Sequence, residues 1–422
     1  VKAVVIFLFC GVLLVNAQTR LTPGIEPFIA YHQPVIALTH ARVIDGTGAE
    51  PLLDQTIVIN HGRIQSVGSS VTARVPDGAA LIDLTSKTVI PGIVGMHEHL
   101  FYPADSGTPL YTEVAVTFPR LYLAAGVTTA RTAGSVEPFT DLEMKKLIDA
   151  GKAPGPNLLI TIGYLEGAGS FTPQMHELSG PEDATRFVNY WASQGAHSFK
   201  AYMHITHAEL DAAIQAAHAL HLKVAGHLCS VGFREAAALG IDSLEHGIVT
   251  DAEFLPNKQT DVCGPVQLEQ LDVQAEPVQQ MIRDLVAHHV AVTSTLAVFE
   301  SAPPLQQRFL DALSPTSLNS YLARRAQQPP NALNLSMKRV HKEMEFERAF
   351  VAAGGLLMAG ADPTGNGSTL AGFGDQRNIQ LLVDAGFKPM QAIQIATLNG
   401  ARSWAWNKRL APSHPVSGPT WW

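Results

Sequence analysis

From Pro91 onward the chain repeats one pattern: a short apolar, strand-like run followed by a helical stretch. Such runs recur near Ile93, Thr128, Leu158, Ser198, Lys223, Asp242, Ala291 and Leu356, about 38 residues apart on average. That spacing suits one strand, one helix and their connections. Eight units in series predict an α/β fold, a (β/α)8 TIM barrel, over residues 89–400. The competing arrangement, an open doubly wound sheet, would carry a Gly-rich phosphate loop after its first strand. The sequence there is "PGIVGMHEHL", with histidines where glycines would stand.

Before the alternation, residues 34–88 read as β structure. "VIALTHARVIDGTG", "TIVINHGRIQSVG" and "AALIDLTSKTVIPG" are β-branched runs broken by turn residues, the pattern of a small β-sandwich. Between the barrel strands, Thr206 and Glu209 form a capping-box pair ahead of a helix, and a short helix from Phe233 to Leu239 ends at Gly240. Two stretches exceed what a βα unit needs, Thr250 to Pro277 and Glu300 to Ala332, and predict surface insertions. At the N-terminus Lys2 precedes thirteen residues of largely apolar sequence, Ala3 to Val15, and Val15-Asn16-Ala17 offers small residues for cleavage. Residues 1–17 thus read as a signal peptide, and the mature protein as secreted or periplasmic. Only three cysteines occur, so no disulfide scaffold builds the fold; a Cys229–Cys263 bridge is compatible with the spacing without being demanded by it.

Charge narrows the function. The chain has 29 basic and 37 acidic side chains with no basic stripe, which excludes nucleic acid as a partner. Its 17 histidines are the informative surplus. His97 and His99 flank Glu98 at the end of the first barrel strand, where residues two apart face the same way. The fifth strand ends on His227, the sixth on His246 and the eighth on Asp362. Each alone is ordinary; together they lie at the strand ends where barrel active sites assemble. Lys200 sits between Phe199 and Ala201 in the fourth strand. A buried amine needs a reason, either a rim salt bridge or conversion to a carbamate that could join two metal ions. Tyr202, two residues on, shares its direction and could hydrogen-bond an oxyanion. His204, His207 and Arg131 are candidates for a substrate carboxylate.

These residues resemble the amidohydrolase superfamily, binuclear branch, and within it the imidazolonepropionase-like and Xaa-Pro dipeptidase-like group. The resemblance runs from Val35 to Ala401 on "VIPGIVGMHEHL", "AAGVTTARTAG", "SFKAYM", "VAGHLCS", "IDSLEHG", "AGADPTGNG" and "ATLNGAR". It implies that His97, His99 and Asp362 bind one divalent ion, zinc being the expected metal, and that His227 and His246 bind a second. N6-carboxylated Lys200 and a hydroxide would bridge them. It further implies hydrolysis of a C–N amide bond in a small substrate, a dipeptide or N-acyl amino acid, with Asp362 as general base and then acid. A mononuclear deaminase-type member and a non-catalytic truncated fragment are the alternatives. The second arises because residues 401–422, "ARSWAWNKRLAPSHPVSGPTWW", replace the strands with which relatives complete the sandwich. No membrane partner is expected after signal cleavage, and homo-oligomerisation is left open.

Overall fold

A computed structural model describes residues 23–104, 110–266, 268–301, 306–364 and 369–405. The expected signal peptide, residues 1–17, and the tail from residue 406 lie outside them. No helix among the described residues is long and apolar enough to cross a membrane.

Five strands form the N-terminal sheet: β1 (Val35–Val43), β2 (Leu52–Asn60), β3 (Arg63–Ser69), β4 (Ala80–Asp83) and β5 (Thr88–Val89). The spatial order is β3-β2-β1-β4, with β5 also on β1. β1 to β3 are antiparallel, whereas β4 and β5 run parallel to β1. The β2–β3 turn falls at His61-Gly62, both at positive φ, as a two-residue hairpin requires. Ala41, Val43, Ile57 and Val89 pack on one side. Leu53, Val67 and Leu81 stay exposed. A single sheet is described, so the second layer expected of a sandwich is not among the described residues.

The alternating region supplies β6 (Ile93–Glu98), a hairpin of β7 (Phe101–Pro103) and β8 (Tyr111–Glu113), then β9 (Val127–Thr132), β10 (Asn157–Leu159), β11 (Thr161–Glu166) and β12 (His176–Glu177). β13 (Ser198–Ala201), β14 (Lys223–Gly226), β15 (Ser243–Glu245), β16 (Ala291–Ser294) and β17 (Leu357–Ala359) follow. A strand lies at, or begins one residue after, each of the eight expected positions. The fold is α/β with parallel strands, but the ladder is not a closed ring. It forms two arcs, β10-β9-β6 and β12-β11-β13-β14-β15-β16-β17.

Each seam has a local cause. The strand expected near Leu158 is two strands broken at Ile160, β10 pairing with β9 and β11 with β13. Across that break Thr161 N–H bonds Thr132 Oγ1 at 2.8 Å. At the other seam β17 is short, and contact with β6 is made by Asp362 N–H to His97 O at 2.9 Å. Val94 and Met96 of β6 pack there with Ala291 and Met358.

Helices cover the arcs. Thr206 Oγ1 accepts Glu209 N–H at 3.3 Å while Glu209 Oε2 accepts Thr206 N–H at 3.0 Å, so the expected capping box opens the helix His207–Ala219. Phe233–Leu239 closes on Gly240 at φ 95°, as its sequence implied. The helix Ala332–Ala352 turns two carboxyls, Glu343 and Glu347, into the core. Burial pushes Glu347 up to about 8, against roughly 4.3 for a free glutamate. The folded chain therefore holds this proton over the window between those values, and stability falls as pH rises through it. Glu347→Gln is expected to raise the melting temperature at pH 8, with the advantage shrinking by pH 5. An equal gain at both pH values, read by thermal melts, would contradict this.

Candidate metal centre

The strand ends converge as expected. His97 lies in β6 and His99 just beyond it; Lys200 lies in β13; His227 and His246 follow β14 and β15 by one residue, and Asp362 follows β17 by three. Asp362 Oδ1 is 3.3 Å from His99 Nε2 and 3.6 Å from His97 Nε2, and Oδ2 is 3.8 Å from His246 Nε2. The ring centres of His97 and His246 are 4.5 Å apart, and those of His227 and His246 4.6 Å. Lys200 and Tyr202 share one cavity of about 50 Å³ with all five.

Two backbone positions make this convergence possible. His246 has φ 67° and Asp362 φ 45°. Left-handed backbone costs a non-glycine residue on the order of 1–3 kcal/mol and persists only where the surroundings enforce it. At His246 it breaks strand alternation, so Glu245 and His246, which should face opposite ways, both reach the His97 ring.

The electrostatics favour metal ligation. Burial and the neighbouring Lys200 charge lower His97 to about 4 and His227 to about 3, and burial also drives His246 well down. These imidazoles are neutral at pH 7, with lone pairs to offer. Burial opposes the ionised form of Asp362, but the imidazoles around it hold its carboxyl well below the usual range. Burial likewise lowers the Lys200 amine, to about 8.

The orientation of two rings follows from their outer partners. His97 Nδ1 is 2.7 Å from Glu245 Oε2 and His99 Nδ1 is 3.2 Å from the Gly134 carbonyl. An ionised carboxylate and a carbonyl only accept, so each Nδ1 carries a proton, and a neutral ring so held turns the lone pair of its Nε2 to Asp362. Acceptors facing an acceptor at 3.3 and 3.6 Å call for an electropositive centre between them. Among the described residues, His97, His99 and Asp362 are the group whose donor atoms lie close enough together, within 4.8 Å, to hold an ion.

A larger cavity, about 860 Å³, opens at the other end of the strands beside His218, His288 and Arg402. Among the described residues no comparable set of donors converges there, so donor chemistry rather than size marks the candidate site.

No protein-family model matches the chain. A dihydroorotase from Geobacter sulfurreducens (strain ATCC 51573 / DSM 12127 / PCA) is 35% identical over 101 residues, which are 24% of this chain and 22% of that protein. The chain spans 22% to 34% of the length of the curated relatives it matches. Among solved structures, a Xaa-Pro dipeptidase with bound methionine superposes with a TM-score of 0.64 at 19% identity, covering 88% of this chain and 89% of the other. Bottromycin amidohydrolase gives 0.64 at 20% identity, covering 89% and 79%. The chain shares the fold of these solved structures, and about a quarter of it is similar in sequence to a dihydroorotase.

Within this fold, the six residues expected to ligate metal and Tyr202 all line one cavity. The three substrate-carboxylate candidates do not. The Arg131 guanidinium is bound to Glu245 and to the Met96 carbonyl. His207 pairs with Glu235, and His204 sits 3.5 Å from Glu166. Missing from the sequence reading were Glu245, Thr295 (2.7 Å from His246 Nδ1), Phe101 and Tyr111; the last two roof the cavity with Tyr164, which the sequence leaves open between a substrate contact and a structural residue. Gln174 latches that roof, accepting from Tyr111 N–H at 2.7 Å and donating to Tyr111 O at 3.0 Å. Glu245 was hidden by the alternation rule that His246 breaks; Phe101 and Tyr111 come from a hairpin whose return carries no sequence signature. The glycine-rich stretch after Asp362 lies partly in residues 365–368, outside the described residues.

Proposed function

We propose that the chain is a metal-dependent hydrolase that cleaves the C–N amide bond of a dipeptide or N-acyl amino acid. The observation that carries this reading is the convergence of four imidazoles, one carboxylate and one buried lysine on a single cavity. His97, His99 and Asp362 would hold one divalent cation and His227 and His246 a second. Zinc suits imidazole and carboxylate donors. Lys200, as the carbamate formed when its neutral amine adds carbon dioxide and sheds a proton, would join the two. When bound, such ions supply Lewis acidity toward a carbonyl and lower the pKa of water from ~15.7 toward 7.

The chain's own groups do the rest. Asp362, ionised, accepts the proton of attacking water and returns it to the departing amine, which cannot leave as an anion. Tyr202, with its ring 4.8 Å from that of His227, directs its hydroxyl toward the developing oxyanion. Phe101, Tyr111 and Tyr164 exclude bulk water. In this reading the two arcs function as one barrel and the N-terminal sheet as an appendage. The Cys229–Cys263 disulfide supports export, because such bonds persist in oxidising compartments.

The sequence matches favour a second reading, the reaction of the dihydroorotase relatives. One experiment separates them. Purified protein supplied with zinc and bicarbonate is assayed on Xaa-Pro dipeptides, N-acyl amino acids and dihydroorotate. About two metals per chain are expected, and Asp362→Asn should lose roughly 10²–10⁴-fold in turnover. Activity indifferent to both chelation and Asp362→Asn would defeat the proposal; turnover of dihydroorotate alone would favour the second reading.

A further inference from the structure

His97 belongs to a chain of buried contacts that runs away from the cavity. Its Nδ1 meets Glu245 Oε2 at 2.7 Å, and the other carboxylate oxygen accepts from Arg131 at 2.5 Å. Arg131 Nε also donates to the Met96 carbonyl at 2.7 Å, one residue before His97. Glu245 is fully buried and both of its oxygens are engaged. Each link is directional. Arginine donates only, so it fixes Glu245 as an acceptor on one side; the carboxylate, an acceptor on its other side as well, fixes the proton on His97 Nδ1.

We propose that Glu245, clamped by Arg131, is a positioning residue that sets the tautomer and tilt of His97, so that Nε2 remains a lone-pair donor to a divalent cation. This rests on the metal-centre reading above. Such outer partners typically contribute 10–100-fold to metal affinity. The alternative is a buried ion pair that merely ties β6, β9 and β15 together.

Glu245→Gln separates the two. An amide at this position must turn its oxygen to Arg131, since guanidinium cannot accept. Its NH2 then faces His97 Nδ1 and forces the proton onto Nε2, abolishing the lone pair. The expected result is cobalt(II) affinity weakened about 10–100-fold, with an altered visible spectrum of the cobalt form. A merely structural pair predicts a different result: Glu245→Gln loses melting temperature while cobalt affinity and spectrum hold, which would overturn the proposal. Should Glu245→Gln fail to fold, ¹⁵N-histidine NMR of the parent protein decides, with the His97 signal identified by its loss in His97→Asn. An Nδ1–H tautomer is expected and an Nε2–H tautomer would refute. Parent protein that binds no divalent ion would instead remove the metal-centre reading itself.

Discussion

Lys200→Ala is expected to lower turnover by about 10³-fold or more, the equivalent of roughly 4 kcal/mol, and to reduce bound metal from about two ions per chain toward one. The reason is charge. Two divalent cations close together at low dielectric repel strongly, and among the ligands Asp362 is the one fixed anion. Glu245 is also ionised, but Arg131 offsets it. A lysine ammonium would add a further positive charge, whereas its carbamate adds a negative one at the same place. The side chain is 1% exposed and its amine is lowered to about 8, first by burial, so a fraction is neutral and reactive at pH 7. The cavity left by the truncation should admit a short carboxylate, and partial rescue by millimolar acetate or propionate is expected. Metal analysis alongside rescue kinetics checks this. Unchanged metal content and turnover would favour the mononuclear alternative.

Gly360→Ala should strongly destabilise the fold. A Cβ there would lie 2.4 Å from His97 N, 2.6 Å from His97 Cβ and 2.8 Å from His97 Cα. Two of these three are backbone atoms that cannot rotate away, so β6 and β17 must separate. Overpacking of this kind costs about 1–3 kcal/mol, occasionally more, and the upper end is expected because the clash is with backbone. Gly68→Ala is the control, having nothing within 4 Å of its added methyl and no positive φ. Urea midpoints of the two variants measure the difference. A Gly360→Ala protein as stable as its Gly68→Ala counterpart would mean the seam is looser than the geometry requires.

Much of the site was legible in the sequence because parallel strands deliver side chains to one end by a simple rule. His97 with His99, and Lys200 with Tyr202, are two apart and do face the same way. His227 and Asp362 needed only the strand-end position. The rule failed where backbone geometry departs from an ideal strand. Glu245 was invisible because His246 turns left-handed, and the split at Ile160 was invisible because "NLLITIGYLE" reads as one continuous apolar run. Arg131 looked like a substrate contact because nothing local shows that its partner lies 114 positions away. Sequence displays which groups are present; long-range pairing decides which of them remain available.

The Cys229–Cys263 bond joins the loop just past His227 to the insertion beyond His246, across 34 positions. A protease cutting within that stretch would therefore not release either piece: the severed halves would stay tethered beside the histidines. Production in a reducing cytosol would remove this tether and leave the same clip irreversible. Resistance to limited digestion should thus track the thiol state of the preparation.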